Sequence, residues 1–184
     1  VGTFWQRVAD RLRHNWRSNT KTGSRRNIAA HYDLGNDFYA QWLDPSMTYS
    51  SAVYPENGKI LEEAQSSKYA RLLELVAAKP GERILEIGCG WGGFAEFAAS
   101  RGVAVTGITI SPAQFEFAEQ RIARAGLSDL VEIRLCDYRD VEGSFDHVVS
   151  IEMIEAVGES YWPVYFDRIA RCVRRGGRVA IQAI

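Results

Sequence analysis

From residue 83 onward, short apolar runs alternate with segments whose apolar residues recur every three or four positions. The runs at 83–87, 103–110, 145–151 and 178–184 have the length and β-branched content of buried strands, and 131–136 alternates in the same register. Between them, 94–100, 112–125 and 161–173 carry helical spacing. Ser111 followed by Pro112 gives the second of these a cap and a proline at its first position, and Gly126 closes it. Such alternation predicts an α/β fold, a parallel sheet with helices on both faces and a ligand at the carboxyl ends of the strands. Upstream, 60–76 reads as a helix with Leu61, Ala64, Tyr69, Leu72, Leu73 and Val76 inward, stopped by Lys79-Pro80-Gly81. Arg171, Arg174 and Arg175 crowd the end of the 161–173 helix, where they complement its dipole.

The front of the chain is patterned differently. Phe4, Val8, Leu12 and Trp16 recur every fourth residue, with Arg7, Arg11, Arg13 and Arg17 mostly off that stripe. This is a basic amphipathic helix, and two readings stand: it lies on an anionic membrane surface, or it packs on its own domain with a solvated basic face. A polar linker follows at 18–24. Residues 27–54 are then dense in aromatics without a clean period, including Tyr32, Phe38, Tyr39, Trp42, Tyr49 and Tyr54. That density reads as a lid over a pocket, or as cement fixing a cap to the domain. The chain divides into 1–26 (basic helix and linker), 27–82 (helical lid) and 83–184 (ligand-binding core).

The sharpest chemical signal is the turn after the first strand of the core, E-I-G-C-G-W-G-G at 86–93. Glycines there let a backbone approach a nucleotide-like ligand closely and aim free amides at it. The spacing fits two patterns. Gly88, Gly90 and Gly93 match the dinucleotide G-x-G-x-x-G, and Glu86 with Gly88, Gly90 and Gly92 matches the acid-x-G-x-G-x-G of nucleoside-binding methyltransferases. A dinucleotide site wants an acid for the ribose about 20 residues further on. The next strand ends in Thr109-Ile110-Ser111 instead, which weighs against that pattern.

Charge sharpens the picture of the front end. The net charge of -1 conceals +6 over residues 1–31 and -7 over the rest, so the front end is suited to an anionic surface. No base-reading motif accompanies it, which sets nucleic acid aside. Three cysteines, Cys89, Cys136 and Cys172, have no metal-ligand spacing and point to a reduced compartment without a metal. No apolar run approaches the length of a membrane span and no hydrophobic signal core opens the chain, so the expectation is a soluble or peripheral protein.

Six motifs occur in order: H-Y-D-L-G-N-D-F-Y (31–39), L-D-P-S-M-T-Y-S (43–50), E-I-G-C-G-W-G-G (86–93), G-I-T-I-S-P-A-Q (107–114), D-Y-R-D (137–140) and F-D-H-V-V-S-I-E-M-I-E-A-V-G (145–158). Together they resemble the cyclopropane-fatty-acid and mycolic-acid cyclopropane synthases over residues 27–184. The resemblance implies a Rossmann-like class I methyltransferase fold that binds S-adenosyl-methionine and alkylates the double bond of unsaturated acyl chains of phospholipids. The cysteines and the basic helix add the expectation of a cytoplasmic protein, either soluble or peripheral on the inner face of the membrane. A sheet of this type continues through two strands beyond residue 184, so the chain reads as a piece lacking its C-terminal part.

By the same resemblance Tyr49 and Ser50 touch the methionine end of the cofactor. Glu86, Gly88, Gly90, Trp91 and Gly92 line it, Thr109, Ile110 and Gln114 neighbour the ribose and adenine, and Tyr138 and Arg139 flank the adenine. The family's base is a bicarbonate held by Cys, Glu and His. Here those positions are Ser51, Glu155 and Gln182, and Ala156 replaces a further His. Ser51, Glu155 and Gln182 are therefore the candidate catalytic group, with Glu152 able to share their rim and His31 a lesser candidate from the lid. The altered set opens the product to a methylene or methyl branch as well as a cyclopropane. Two other readings stay open: a small-molecule methyltransferase, and a membrane-binding module that has kept the fold without catalysis.

Overall fold

The computed structural model describes residues 35–55 and 60–184. The basic amphipathic stretch, the linker, His31 and Tyr32 lie outside the described residues. Strands β1 (Arg83–Ile87), β2 (Ala104–Thr109), β3 (Val131–Leu135), β4 (Phe145–Ile151) and β5 (Val173–Gln182) form one parallel sheet in the order β3-β2-β1-β4-β5. The helices are α1 (Asn36–Tyr39), α2 (Leu61–Val76), α3 (Gly93–Ala99), α4 (Pro112–Arg124), α5 (Ile154–Val157) and α6 (Trp162–Cys172). The α/β class expected from the alternation is the fold observed.

The period-2 alternation of side chains along β1 divides the core. Ile84 packs with Tyr69, Leu72 and Val76 of α2, Phe94 and Ala98 of α3, and Ala118 and Ile122 of α4. Leu85 and Ile87 face the other way, onto Tyr165, Ile169 and Cys172 of α6. Glu86 is a carboxylate in the middle of a central strand, buried on the face that α2, α3 and α4 cover. The register Ile87↔Ile108 and Ile87↔Ser150 brings the carboxyl ends of β1, β2 and β4 level, where a cleft opens.

Three local expectations need correction. The fifth strand begins at Val173, not 178, and ends at Gln182. Its start, R-R-G-G-R, has no apolar signature, and it pairs through a register irregularity between Phe145 and His147. A β-carbon at Gly177 would sit 2.3 Å from the Asp146 carbonyl oxygen, so this close approach requires glycine. Arg174 accordingly lies in a strand, ion-paired to Glu82 at 3.2 Å and Asp146 at 2.9 Å, and does not serve a helix end. In α2, Leu61 is exposed, and the polar Gln65 and Lys68 are buried beside Ala64 and Tyr69. That helix ends at Ala77, in the left-handed region at φ 53°, before Lys79-Pro80-Gly81 is reached.

The lid segment docks through its own small core. Tyr39, Met47 and Trp91 are buried together with Leu43 and Phe117 against them. Asn36 links three elements: its Oδ1 accepts the Trp91 indole N–H at 2.7 Å, and its Nδ2 donates to the Ala113 carbonyl at 3.3 Å. Tyr39 is thus cement, whereas Phe38, Trp42, Tyr49 and Tyr54 keep large exposed surfaces.

Candidate active site

The cleft at the strand ends spans about 1110 Å³ with the open solvent at its mouth included. Its floor is the glycine turn. Gly88, Gly90 and Gly92 have φ of 82°, 52° and 82°, a left-handed path that residues with a β-carbon take at a cost. The amides of Gly88 and Cys89 both donate to the Ile108 carbonyl, at 3.0 and 2.9 Å, and that of Gly92 to the Cys89 carbonyl at 2.9 Å. Sequence reasoning expected free amides here; these three are instead spent on holding the turn to β2. What the glycines give a ligand is the absence of side chains. A β-carbon at Gly90 would meet nothing within 4 Å, and one at Gly88 would strike Met153. Gly92 serves packing, since a β-carbon there would reach Ala118 at 3.1 Å.

Eleven of the twelve residues expected at a cofactor line this cleft, Gly92 being the exception. On the β2 side, Thr109 Oγ1 donates to Gln114 Oε1 at 2.9 Å and accepts the Ser111 amide at 3.2 Å, while Ser111 Oγ caps α4 by accepting the Gln114 amide. Both Thr109 and Gln114 are buried, so the β2 end offers a preformed polar wall. Beyond it, the buried carboxylate of Asp137 takes the Arg139 guanidinium in a two-point pair at 2.8 and 2.6 Å, and the Arg139 amide at 3.0 Å. Arg139 lies over the Tyr138 ring at 5.3 Å. Asp137 thus sets the position of both neighbours, an organising residue that sequence reasoning did not single out.

Glu86 forms the wall beneath the glycines. Burial pushes its carboxyl up to about 8, against the weaker pull of Lys68 and Arg121, and its Oε2 has no hydrogen-bond partner within the protein. Lys68 enters from α2 fully buried, donating to Gln65 Oε1 at 2.5 Å and Ser50 Oγ at 2.6 Å; burial lowers its ammonium to about 8. Gln65 Nε2 also holds the Ser50 carbonyl at 2.8 Å. This pair fixes the Tyr49-Ser50-Ser51 segment over the cleft. Its signal in the sequence was position alone, because 65 and 68 share the helix face of 64, 69 and 72.

The candidate catalytic residues divide. Ser51 and Gln182 meet, but on Glu152. The Ser51 amide donates to Glu152 Oε1 at 2.8 Å, Ser51 Oγ donates to the same atom, and Gln182 Nε2 reaches it at 2.8 Å. Gln182 Nε2 also donates to the Ser51 carbonyl at 3.2 Å. Glu152 lines the cleft; Glu155 does not, being exposed with its Oε1 on the Ile184 amide at 2.7 Å. The chain leaves β4 through Glu152 in the left-handed region, φ 47°, which turns the following α5 away.

Residues 19–184 match the family model for mycolic acid cyclopropane synthetase. The tuberculostearic acid methyltransferase of Mycobacterium tuberculosis is 46% identical over 188 aligned positions, 98% of this chain and 44% of that protein. The cyclopropane-fatty-acyl-phospholipid synthase of Escherichia coli is 43% identical over 155 positions, 84% of this chain and 39% of that protein. The chain therefore spans less than half the length of these curated relatives. Among solved structures, a cyclopropane synthase from Mycobacterium tuberculosis superposes with a TM-score of 0.82 at 30% identity, over 85% of this chain and 55% of that one. A mycolic acid cyclopropane synthase complexed with SAH and CTAB gives 0.78 at 31% identity, over 82% and 53%.

Proposed function

The chain belongs to the mycolic acid cyclopropane synthetase family, and we propose that it carries the cofactor-binding part of an S-adenosyl-methionine-dependent methyltransferase acting on the double bond of unsaturated acyl chains of phospholipids. Its five-stranded parallel sheet is the class I methyltransferase fold. The observation that carries the proposal is Glu86: a buried carboxylate with an unpartnered oxygen, in the wall of a cleft floored by glycine. Such a group fits a cationic ligand, and the cofactor is one. When bound, it supplies a sulfonium methyl group. Glu86 and Ser50 would hold its methionine end, and the Thr109–Gln114 wall with Tyr138 and Arg139 its nucleoside.

The acceptor side rests on the lid. An isolated alkene is a weak nucleophile, so it has to be held close to the methyl group and away from water. Aromatic faces stabilise the cation that alkylation creates. Phe38, Tyr39, Trp42 and Tyr49 form a contiguous aromatic group beside Trp91, with centroids 5.1 to 6.3 Å apart along the contacts, and Tyr49 and Trp91 line the cleft. The basic residues Arg7, Arg11, Arg13 and Arg17 supply charge suited to anionic headgroups, supporting a phospholipid at a membrane surface.

The test is incubation of the full-length protein with unsaturated phospholipid vesicles and methyl-labelled cofactor. Label in the acyl chains is expected; label confined to soluble molecules or headgroups refutes the substrate. Failure to bind S-adenosyl-methionine by calorimetry would remove the catalytic reading altogether. Ser51 and Gln182, in the places where the resembled family has Cys and His, favour a methylene- or methyl-branched product as the second reading. NMR of the extracted acyl chains separates cyclopropane ring protons from vinylidene and branch-methyl protons.

A further inference from the structure

Alkylation of an alkene leaves a carbocation that must give up one proton inside an apolar cleft, so a proton acceptor has to stand at the cleft wall. Among the described residues, four carboxylates stand at or near it. Asp137 is locked by Arg139, Glu86 faces the cleft at the end proposed for the cationic ligand, and Glu155 is turned outward. Glu152 remains. It lines the cleft beside Met153, and its left-handed backbone is a strained conformation of the kind retained where a side chain has to be aimed. The Ser51 amide, the Ser51 hydroxyl and the Gln182 amide all converge on Oε1, so a proton arriving from substrate can land only on Oε2.

We propose that Glu152, positioned by Ser51 and Gln182, is the proton acceptor that quenches the substrate cation, and that no free anion such as bicarbonate is needed. The proposal rests on the function proposed above. In the step that closes a ring, a C–H bond of the transferred methyl group breaks and its electron pair bonds that carbon to the cationic carbon; in the step that forms an alkene, a C–H bond on the carbon adjacent to the cation breaks and its pair becomes the second bond of a C=C. In both the cation is neutralised and the proton forms an O–H bond at Glu152 Oε2. Ser51 and Gln182 act through Glu152 and are positioning residues.

The test uses the full-length protein, unsaturated phospholipid vesicles and methyl-labelled S-adenosyl-methionine. In buffer purged of carbon dioxide the wild-type rate should not change. Glu152→Gln should lower acyl-chain labelling by about 100-fold or more, the scale of a lost general base, while still binding S-adenosyl-methionine by calorimetry and unfolding at the wild-type urea midpoint. Glu152→Gly suits the left-handed backbone and leaves a hole, so formate or bicarbonate should restore part of its activity, which a purely structural role would not allow. Several-fold stimulation of the wild type by bicarbonate, an active Glu152→Gln, or loss confined to Glu155→Gln overturns the assignment of the base and leaves the methyltransferase reading intact. Absence of acyl labelling by the wild type overturns both.

Discussion

Replacing Glu86 with Gln tests whether the cleft is built for a cation. Burial holds the Glu86 carboxyl near 8 in the folded protein, against an ordinary value of 4.5. Between those values the folded state binds a proton here that the unfolded chain has released. Stability is therefore fully present below pH 4.5 and declines as pH rises, until the loss is complete above pH 8. The full window amounts to about 5 kcal/mol, of which about 3 kcal/mol is already lost at pH 7. Glu86→Gln cannot ionise, so the ligand-free variant should be more stable than wild type by up to about 3 kcal/mol at pH 7 and should lack the decline. Urea unfolding at pH 6, 7, 8 and 9 reads this directly. A cation bound beside Glu86 favours the carboxylate, so binding expels the proton and affinity should rise with pH up to about 8, by at most about tenfold per unit. The ligand's own ammonium titrates alike for both proteins and cancels from the difference. Calorimetry in buffers of different ionisation heat counts the released proton, which Glu86→Gln should not release. Parallel unfolding curves for the two proteins, or an equal pH dependence of their affinities, would refute the reasoning.

Lys68 has the opposite sign. Its ammonium, lowered to about 8 by burial, loses its proton in the folded state while the unfolded chain keeps it to about 10.5, so stability should rise across that interval by up to about 3 kcal/mol. Lys68→Met should abolish the rise, measured by urea unfolding from pH 7 to 10.5, and should weaken cofactor binding by loosening Ser50. Gly92 and Gly126 both have positive φ, but a β-carbon at Gly92 would strike Ala118 and one at Gly126 would meet nothing. Gly126→Ala should cost about 1 kcal/mol and Gly92→Ala about 2–3, the difference in unfolding free energy isolating the packing contribution. Trp91→Phe leaves Asn36 Oδ1 without its donor, a loss of about 1 kcal/mol that should appear as faster hydrogen exchange over residues 36–43.

The sheet was legible because buried parallel strands are nearly continuous apolar runs. β1 and β4 fall where the sequence placed them, and β2 and β3 within two residues. The start of β5 was not, since 173–177 extend through contacts with Glu82 and Asp146 that hydrophobicity does not encode. The lining of the cleft was legible through motif resemblance, while the residues behind it were missed. A rule that turns Lys and Gln outward cannot find Gln65 and Lys68, whose burial is repaid by the lid backbone and Ser50. Glu152 and Glu155 show a second limit. Three residues apart, they would share a helix face, but the helix begins only after the left-handed residue at 152, so the two carboxylates point to different places.

The three acids lining the cleft are distinguished by what compensates them, and that difference argues for the orientation of the proposed ligand. Asp137 is matched in charge by Arg139 through two parallel hydrogen bonds, so the cleft is electrically quiet beside Tyr138, as suits an uncharged purine. Glu86 faces the cleft with an oxygen that no protein group satisfies, and its nearest cation, Lys68, spends its donors on Gln65 and Ser50. An ammonium or sulfonium gains most at that end. Glu152 is oriented by neutral donors on Oε1 and feels the Lys68 ammonium without forming an ion pair with it, which leaves Oε2 for the proton of the proposed step. A ligand bound the other way round would place its charge where Asp137 and Arg139 already cancel and its purine against an unsatisfied carboxylate, gaining at neither end. The same reasoning makes the glycine turn a spacer: by withholding side chains at Gly88 and Gly90 it lets the cationic end approach the acid that strand β1 carries, an acid whose burial costs stability until that approach is made.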